Sequence, residues 1–482
     1  MESDESTRLL QAAREDASAD DLVTWDGPDD LENPTNWSPR KIWCHVTLVS
    51  LLTFMVPLGA TMFAPAIQNV MQDLDSTNET LASLTVSVYI LGWALGPLLL
   101  APLSEVQGRL PVYTASNVLY VSFTVGCAVA PRVEVLVVFR FLAGAVGSTP
   151  LTIGGGTISD IVPVQRRGLA MSLFMFGPIL GPSVGPLAGG YLTDTLGWRW
   201  IFWTIAIAYG CLTVTQILFM SETYAAAILE RKARYLRKAT GSPALRSALA
   251  SGLSTRHVLA RAITRPAKIT AKSPVNALLS VASAYVNGVV FLLLTTAPVM
   301  FQAEYGFSPR GVGLAFVGYG AGNLVGLAAF TLTSDRYVRA RAARGALRPE
   351  DRLLPGVVAT PLLAAGLLWY GWSAAAHAHW GLAVAGSAVI GAANVLFFSA
   401  VVGYLIDAFG AYAASAIAAN VVLRSIGGSL LPLVGRRLYA ALGWGWGSSV
   451  LALLAMVCAP VLAYVFVRGE AIRAKHPVQL SS

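Results

Sequence analysis

The sequence has few charged residues. Asp, Glu, Lys and Arg make up 12% of the 482 residues, whereas 55% are hydrophobic. Soluble domains carry about 25% charged residues. A soluble chain of this length would divide into domains with polar surfaces, and there is too little charge here to cover them. We therefore expect most apolar residues to face lipid, which excludes a string of soluble domains.

Several chemical signatures are also missing. The four cysteines lie in apolar runs without CxxC spacing, which predicts packed thiols and no metal site. There is no GxxxxGK[ST] loop and no room for the soluble domain of an ATP-driven pump, so the energy source is expected to be an ion gradient and no cofactor is expected. The His–acid ligand sets or nucleophile–base pairs of a membrane-embedded enzyme are absent. Neither an enzyme nor a nucleic-acid-binding protein is predicted.

Long apolar runs dominate what is present. A bilayer core of about 30 Å needs about 20 apolar residues per helix, and twelve such runs can be drawn. They predict an all-α integral membrane protein with two pseudo-symmetric six-helix bundles. The expected domains are a disordered acidic tail over 1–41, a first bundle over 42–220, a basic connector loop over 221–274, a second bundle over 275–467 and a cytosolic tail over 468–482.

The basic residues predict the orientation. If the N-terminus is cytosolic, 27 of the 34 Lys and Arg residues fall in cytosolic segments and five in external loops. The two others, Arg140 and Arg424, lie inside helices, and a guess pairs Arg424 with Asp407. Asn78 begins an external Asn-Glu-Thr sequon and is a candidate glycosylation site. The basic stretch 230–238 of the connector is either an anionic-lipid contact or an ordinary positive flank.

The chain contains an internal repeat. Residues 96–109 and 326–339 align without gaps at an offset of 230, with Gly, Ser, an acid and Arg at matching positions. Both segments end the second helix of their half on the cytosolic side, as a duplicated six-helix unit would produce. Chance matching of four positions is the alternative. Matched acidic and basic residues at helix ends can form switchable ion pairs.

Three motifs carry a family resemblance. They are the loop 2–3 segment 96–111, Arg140 within 138–147, and a helix-five segment with glycine every four residues over 177–190. With smaller matches after helix six and on helices ten and eleven, they resemble the fungal twelve-helix drug:proton antiporter branch of the major facilitator superfamily. The similarity covers nearly all of residues 25–467.

The resemblance implies roles for individual residues. It makes Arg140 a proton-coupling residue, against the alternative of a buried ion pair or a carbonyl cap. It makes the loop 2–3 residues and their repeat a cytosolic gate, against a simple helix cap: Gly96, Glu105, Gly108, Arg109, Asp335 and Arg339. It makes the helix-five glycines an antiporter motif, although small-residue packing would also explain them: Gly177, Gly181, Pro182, Gly185, Pro186, Gly189 and Gly190.

Polar and aromatic residues in mid-helix are candidates for the binding pocket: Tyr89, Trp93, Tyr285, Asn287, Phe291, Asn323, Asn394 and Arg424. No carboxylate lies near the middle of a predicted helix, so the sequence does not identify a proton carrier. His377 and His379, in a short external loop, suggest a metal site or, more simply, a solvated turn.

The prediction is a monomeric exporter of small amphipathic compounds in the plasma membrane, with the vacuolar membrane as the alternative. The competing function is a proton-coupled uptake symporter for a nutrient or polyamine. The helix-five pattern, which the resemblance links to exporters, favours export.

Overall fold

The computed structural model describes residues 22–249, 255–343 and 348–476, without the side chains at 164, 165, 255, 256, 334, 335, 338–340, 342 and 411. Within these ranges twelve helices have membrane-spanning length, numbered in chain order. They are α1 (Pro39–Asp73), α2 (Glu79–Gln107), α3 (Arg109–Ala128), α4 (Val133–Ile161), α5 (Val164–Thr195), α6 (Arg199–Phe219), α7 (Pro274–Tyr305), α8 (Pro309–Ala343), α9 (Leu354–Ala375), α10 (Trp380–Phe409), α11 (413–442) and α12 (444–475).

The last two helices form one continuous hydrogen-bonded stretch, Ala413–Lys475, which is 63 residues long. Gly443 divides it, because its φ of 71° is left-handed and turns the chain. Ten apolar stretches, this one included, are long and hydrophobic enough to cross a membrane. Dividing it at Gly443 and adding the 20-residue α3 gives twelve, which confirms the predicted fold class.

Each bundle repeats the same pairing of helices. In the first, α1 packs on α5, α2 on α4 and α3 on α6; in the second, α7 packs on α11, α8 on α10 and α9 on α12. The repeat extends to single glycines. Gly92 and Gly96 bring α2 against α4, and Gly322 and Gly326, each 230 positions later, bring α8 against α10. This matches the offset of the sequence repeat.

The outer surface is apolar. Leu218 on α6, Val325 on α8 and Leu453 on α12 are each more than 60% exposed, in helices that are otherwise hydrophobic. Exposed aliphatic side chains all around a two-bundle protein are stable only against lipid. The surface therefore agrees with a multi-pass membrane protein.

The connector between the bundles is more ordered than the predicted loop. It contains connector helix 1 (Ala225–Thr240) and connector helix 2 (Thr255–Lys272). Strand β2 (Arg246–Ser247) lies between them and pairs in parallel with strand β1 (Leu22–Val23). The prediction of a disordered tail over 1–41 is therefore wrong for its described part, because β1 pairs with the connector, Asp26 contacts Lys232 of connector helix 1, and α1 begins at Pro39.

Candidate functional site

A central cavity of about 1560 Å³ lies between the two bundles. It extends from Trp93 and Asn287 in mid-membrane to Glu105 and Arg265 at the face that carries the connector, which we call the connector side and which the charge distribution predicts to be cytosolic. On the opposite face, the far side, α5 packs directly on α8 and α2 on α11. The cavity therefore opens toward the connector side.

Six of the eight predicted pocket residues line this cavity: Trp93, Asn287, Phe291, Asn323, Asn394 and Arg424. The pocket prediction is wrong for Tyr89 and Tyr285, which do not line the cavity. The Tyr89 hydroxyl donates to the Val56 carbonyl at 3.2 Å and the ring is buried inside the first bundle. Tyr285 points to the other side of α7, where its hydroxyl donates to the Leu451 carbonyl of α12.

Sequence reasoning missed two large cavity residues, Tyr319 on α8 and Phe398 on α10. Each lies one helical turn from a predicted residue, Asn323 and Asn394 respectively. The Asn394 amide donates to the Tyr319 hydroxyl at 3.2 Å, which joins the two helices across the cavity wall. Extending the predicted polar faces by four residues would have found both.

Arg140 on α4 is buried within the first bundle and bound by carbonyls. Its guanidinium donates to the carbonyls of Thr85, Gly59 and Ala60 at 2.8, 2.9 and 3.0 Å. Regular α-helix stops at Thr61 in α1, so the carbonyls of that last turn lack helical partners and Arg140 supplies donors. Of the two structural alternatives, the carbonyl cap is present; the described residues include no ion pair to Arg140.

The aromatic rings around Arg140 complete its environment. The guanidinium carbon lies 4.6 Å from the centre of the Tyr89 ring, 5.3 Å from that of Phe63 and 5.9 Å from that of Phe202. Such ring faces attract a cation and exclude water. This explains how a charge is held at this depth, where it otherwise costs a few kcal/mol or more.

The loop 2–3 motif is held at the connector side by an ion pair and a hydrogen bond of Arg109. The Arg109 Nε donates to Asp160 at the end of α4 at 2.9 Å, and one Nη donates to Ser104 Oγ at 3.2 Å. Glu105 is exposed and lines the mouth of the cavity. Tyr224 lies with its ring 5.2 Å from the Arg109 guanidinium carbon, and burial raises the pKa of its phenol. The repeat residues Asp335 and Arg339 have side chains outside the described ones.

The glycines of the loop 2–3 motif allow neighbouring segments to approach its backbone closely. Gly96 places α2 against Ser148 and Thr152 of α4, and Gly108 has a φ of 98° that a residue with a Cβ would adopt only under strain. A Cβ at Gly108 would also collide with the Glu222 carboxylate.

The helix-five motif has two faces. Gly177, Gly181, Gly185 and Gly189 contact α1 backbone or side chains from Phe54 to Met62. The other face meets the second bundle on the far side, where Gly190 approaches the Pro309 carbonyl and Gly313 of α8 approaches the Pro186 carbonyl. Pro182 lines the central cavity. The motif therefore packs within one bundle and also forms the contact between bundles.

Other predicted residues lie at the surface. The guess that Arg424 pairs with Asp407 is wrong, because Asp407 accepts from the Arg352 Nε at 2.9 Å. Asn78 is exposed and caps α2 by accepting from the backbone N–H of Thr80 at 3.0 Å. His377 lies 3.2 Å from a Glu304 oxygen, and His379 accepts from the Gly381 N–H at the start of α10. These two histidines therefore lie in the turn between α9 and α10, where His379 caps the start of α10.

Two six-helix bundles with a cavity that opens on one membrane face define a protein of the alternating-access class. The family model described as Major Facilitator Superfamily matches residues 49–376. The chain belongs to this superfamily, which confirms the resemblance read from its motifs.

Similar proteins include fungal transporters of nearly the same length. The chain is 46% identical to the "MFS-type transporter hepF" of Aspergillus oryzae, over 96% of each chain. It is 44% identical to the "Efflux pump radE" of Floropilus chiversii, over 96% of this chain and 87% of that one. A third relative, the "MFS-type transporter atr4" of Stereocaulon alpinum, is 46% identical over 96% and 84%.

Solved structures share the fold. The xylose transporter XylE from E. coli in a partially occluded inward-open conformation superposes with a TM-score of 0.67 at 16% identity, covering 89% of this chain and 98% of that one. A bacterial homologue of the human lysosomal transporter Spinster, inward-facing and unoccupied, gives 0.66 at 14% identity, covering 92% and 100%.

Proposed function

We propose that the chain is a secondary active transporter that exports small amphipathic organic compounds in exchange for protons. One observation carries the proposal. The central cavity combines aromatic rings with amide groups and opens toward the side predicted to be cytosolic, while the far side is closed by α5 and α8. A compound would enter from the cytosol and leave after the two bundles rock about this site.

The direction of transport is supported by the relatives. One relative at 44% identity is named an efflux pump, and others at 42–46% are named transporters. Similarity of that extent along the whole chain makes export the better reading. Uptake of a nutrient or polyamine by the same fold is the outcome that would replace it.

Proton coupling would involve Arg140. Three carbonyl acceptors and no carboxylate surround it in the described residues, so its charge is balanced by dipoles alone. Because two of these carbonyls lie where α1 breaks, any movement of that break would change the donors available to them. We propose that Arg140 couples protonation elsewhere in the first bundle to this movement, in a monomer resident in the plasma membrane.

The predicted orientation of the chain in the membrane supports glycosylation of Asn78. Its side chain is exposed at the far side, and the capping bond uses Oδ1, so Nδ2 stays accessible to a glycan. The proposed gate uses Glu105 and Arg109, with Asp335 and Arg339 as their repeat counterparts in the second bundle.

The test is cellular accumulation of a panel of fluorescent and toxic amphipathic compounds in a pump-deficient host, with and without a protonophore. Export predicts reduced accumulation that the protonophore abolishes. Arg140→Ala should lose this reduction, while Arg132→Ala, an exposed arginine at the start of the same helix, should keep it. Raised accumulation would mean uptake instead.

A second measurement separates coupling from folding. Substrate counterflow in proteoliposomes needs no proton gradient, so an Arg140→Lys protein that folds but is uncoupled should exchange substrate and fail to concentrate it. If Arg140→Lys performed uphill transport at the wild-type rate, the coupling role would be wrong.

A further inference from the structure

Arg424 is a lone cation in the wall of the central cavity. It lies on α11, and its guanidinium carbon is 5.0 Å from the centre of the Phe398 ring of α10. No described carboxylate pairs with it, since Asp407 is held by Arg352. A charge at this depth is costly unless it meets an opposite charge or water. The position is therefore suited to an anion in the cavity.

The cavity wall holds a second donor without a partner in the described residues. Trp93 lines the cavity on α2, and its Nε1–H is buried without an acceptor in the described residues. Helices α2 and α11 cross where Gly428 approaches Ile90. Arg424 and Trp93 each lie about one turn from that crossing, both toward the connector side. The two donors therefore converge on the same level of the cavity.

The charged residues of the lining carry a net positive charge. Five arginines and two glutamates line the cavity, and both glutamates lie at the mouth: Arg109, Arg234, Arg261, Arg265, Arg424, Glu105 and Glu230. Glu230 already pairs with Arg237 at 2.8 Å. Deeper than the mouth, the described residues of the lining include Arg424 and no acidic residue. A cleft lined by one sign of charge concentrates the opposite ion.

The apolar part of the cavity lies against this cation. Phe291 of α7 and Phe398 of α10 offer ring faces, and Asn287 is fixed by a 3.0 Å bond from its amide to the Arg424 carbonyl. The Oδ1 atoms of Asn323 and Asn394 have no donor in the described residues. Together these groups fit a compound with an apolar body, a hydroxyl or amide donor and one acidic group.

We propose that the central cavity selects organic anions, in which a carboxylate or similar acidic group binds the Arg424 guanidinium and the Trp93 N–H while an aromatic or aliphatic body packs on Phe291 and Phe398. A planar guanidinium holds a carboxylate through two parallel charge-assisted hydrogen bonds, which are stronger than its bonds to a neutral carbonyl, whereas a cationic group is repelled. The proposal rests on the proposed function, because it takes the cavity to be the transport site.

The test compares three ligands of one shape on the purified full-length protein: 2-naphthoate, neutral 2-naphthamide and cationic 2-naphthylmethylamine. At equal ligand concentration, a ligand that binds the folded state more tightly raises the unfolding midpoint more. We expect 2-naphthoate to give the largest rise. Equal or larger rises with the amide or the amine would overturn the proposal.

Variants test whether the preference for 2-naphthoate depends on Arg424. Arg424→Gln should weaken 2-naphthoate binding about 10- to 100-fold, as expected for loss of a charge-assisted bond, and leave 2-naphthamide unchanged. Arg424→Lys should retain part of the preference. Arg310→Gln, a matched change at the far side, should alter neither ligand. A 2-naphthoate preference that survives Arg424→Gln would overturn the assignment; should that variant fail to fold, the three-ligand comparison on wild type decides.

Failure of this inference differs from failure of the proposed function. If neutral or cationic compounds are exported in the cellular assay and the anion is not preferred, export stands and anion selectivity is wrong. If no compound of any charge is exported, the proposed function itself is wrong, and an anion preference in the binding assay would then belong to an uptake carrier.

Discussion

The Glu222 carboxylate, just after α6, accepts a hydrogen bond from the backbone N–H of Arg109 at 2.9 Å, although the two residues are 113 positions apart. Its other oxygen accepts from the N–H of Leu110 at 3.1 Å. These are the first two N–H groups of α3, which have no partner within the helix. One side chain therefore caps α3 and ties the loop 2–3 motif to the start of the connector.

Glu222→Ala is expected to destabilise the protein by about 1–3 kcal/mol, because it leaves two partly buried N–H groups without acceptors and removes a negative charge from a helix N-terminus. Glu222→Gln should lie between wild type and Glu222→Ala, since one amide oxygen remains. The measurement is the thermal unfolding midpoint of detergent-purified protein.

Glu134→Ala serves as the control for that change. Glu134 is also an acid in the first turn of a membrane helix, but it is exposed and its side chain makes no hydrogen bond within the described residues. Its removal should shift the midpoint little. Equal losses in the two alanine variants would show that the cap contributes nothing specific.

The Arg109–Asp160 pair predicts non-additive effects. Both side chains are mostly buried, with 11% and 20% of their surfaces exposed. Arg109→Gln or Asp160→Asn alone leaves the partner charge without compensation, which costs more than losing the pair itself. The double variant should therefore be no less stable than the worse single variant, with a coupling of about 0.5–3 kcal/mol. Strict additivity of the midpoint shifts would exclude a coupled pair.

Neighbouring glycines of α5 offer a matched comparison. A methyl group at Gly189 would meet the Met62 carbonyl of α1, inside one bundle. A methyl group at Gly190 would meet the Pro309 carbonyl of α8, in the other bundle. Gly189→Ala should therefore destabilise the fold by about 1–3 kcal/mol, as overpacking does. Gly190→Ala should instead separate the bundles on the far side and leave each bundle intact.

Labelling measures that separation. Ser415 lines the central cavity, so a Ser415→Cys probe in a background without native cysteines reports access from the connector side. Gly190→Ala should slow its reaction with a membrane-impermeant thiol reagent, because opening the far side closes this one. An unchanged labelling rate with a normal unfolding midpoint would show that the Gly190 contact does not control the conformation.

Hydropathy and motif position predicted the helices because a bilayer requires long apolar runs and all backbone bonds within each helix. The same physics marked Arg140, since an unpaired charge in such a run needs special partners. The glycine period on α5 correctly indicated a packing face. These features depend on residue type and spacing along one helix, so the sequence contains them directly.

The direction of individual side chains was less predictable. Helices such as α10 are apolar on every side, so hydropathy does not indicate which face lines a cavity. The segment Gly96–Leu100 of α2 is a π-helix, which rotates the following turn relative to a regular helix. Contacts between distant segments, such as Glu222 with Arg109, depend on tertiary packing. The pocket prediction for Tyr285 was wrong because hydropathy did not indicate which face of α7 lines the cavity. The Glu222 cap was missed because it depends on tertiary packing.

The N-terminal segment and connector helix 1 are joined by Lys232. Its ammonium contacts the Asp26 carboxylate at 2.6 Å and the Thr24 carbonyl at 3.3 Å, beside the β1–β2 pair. Hydrogen bonds from the backbone N–H groups of Asp26 and Glu32 hold the pKa of Asp30 below its usual value, which keeps a further negative charge near this site. The contacts predict that Lys232 holds the segment on the connector.

Lys232→Ala should accelerate chymotrypsin cleavage after Trp25 several-fold while changing the global unfolding midpoint little, because exposed ion pairs contribute only about 0–1 kcal/mol. Lys238→Ala, on the same helix but exposed and without an ion-pair partner in the described residues, should leave cleavage unchanged. The distinction matters for mechanism, since connector helix 2 lines the cavity mouth and is the next helix in the chain after β2. If Lys232→Ala and Lys238→Ala are cleaved at the same rate, the segment is held by the two-residue β pairing alone, and the ion pair does not position the connector.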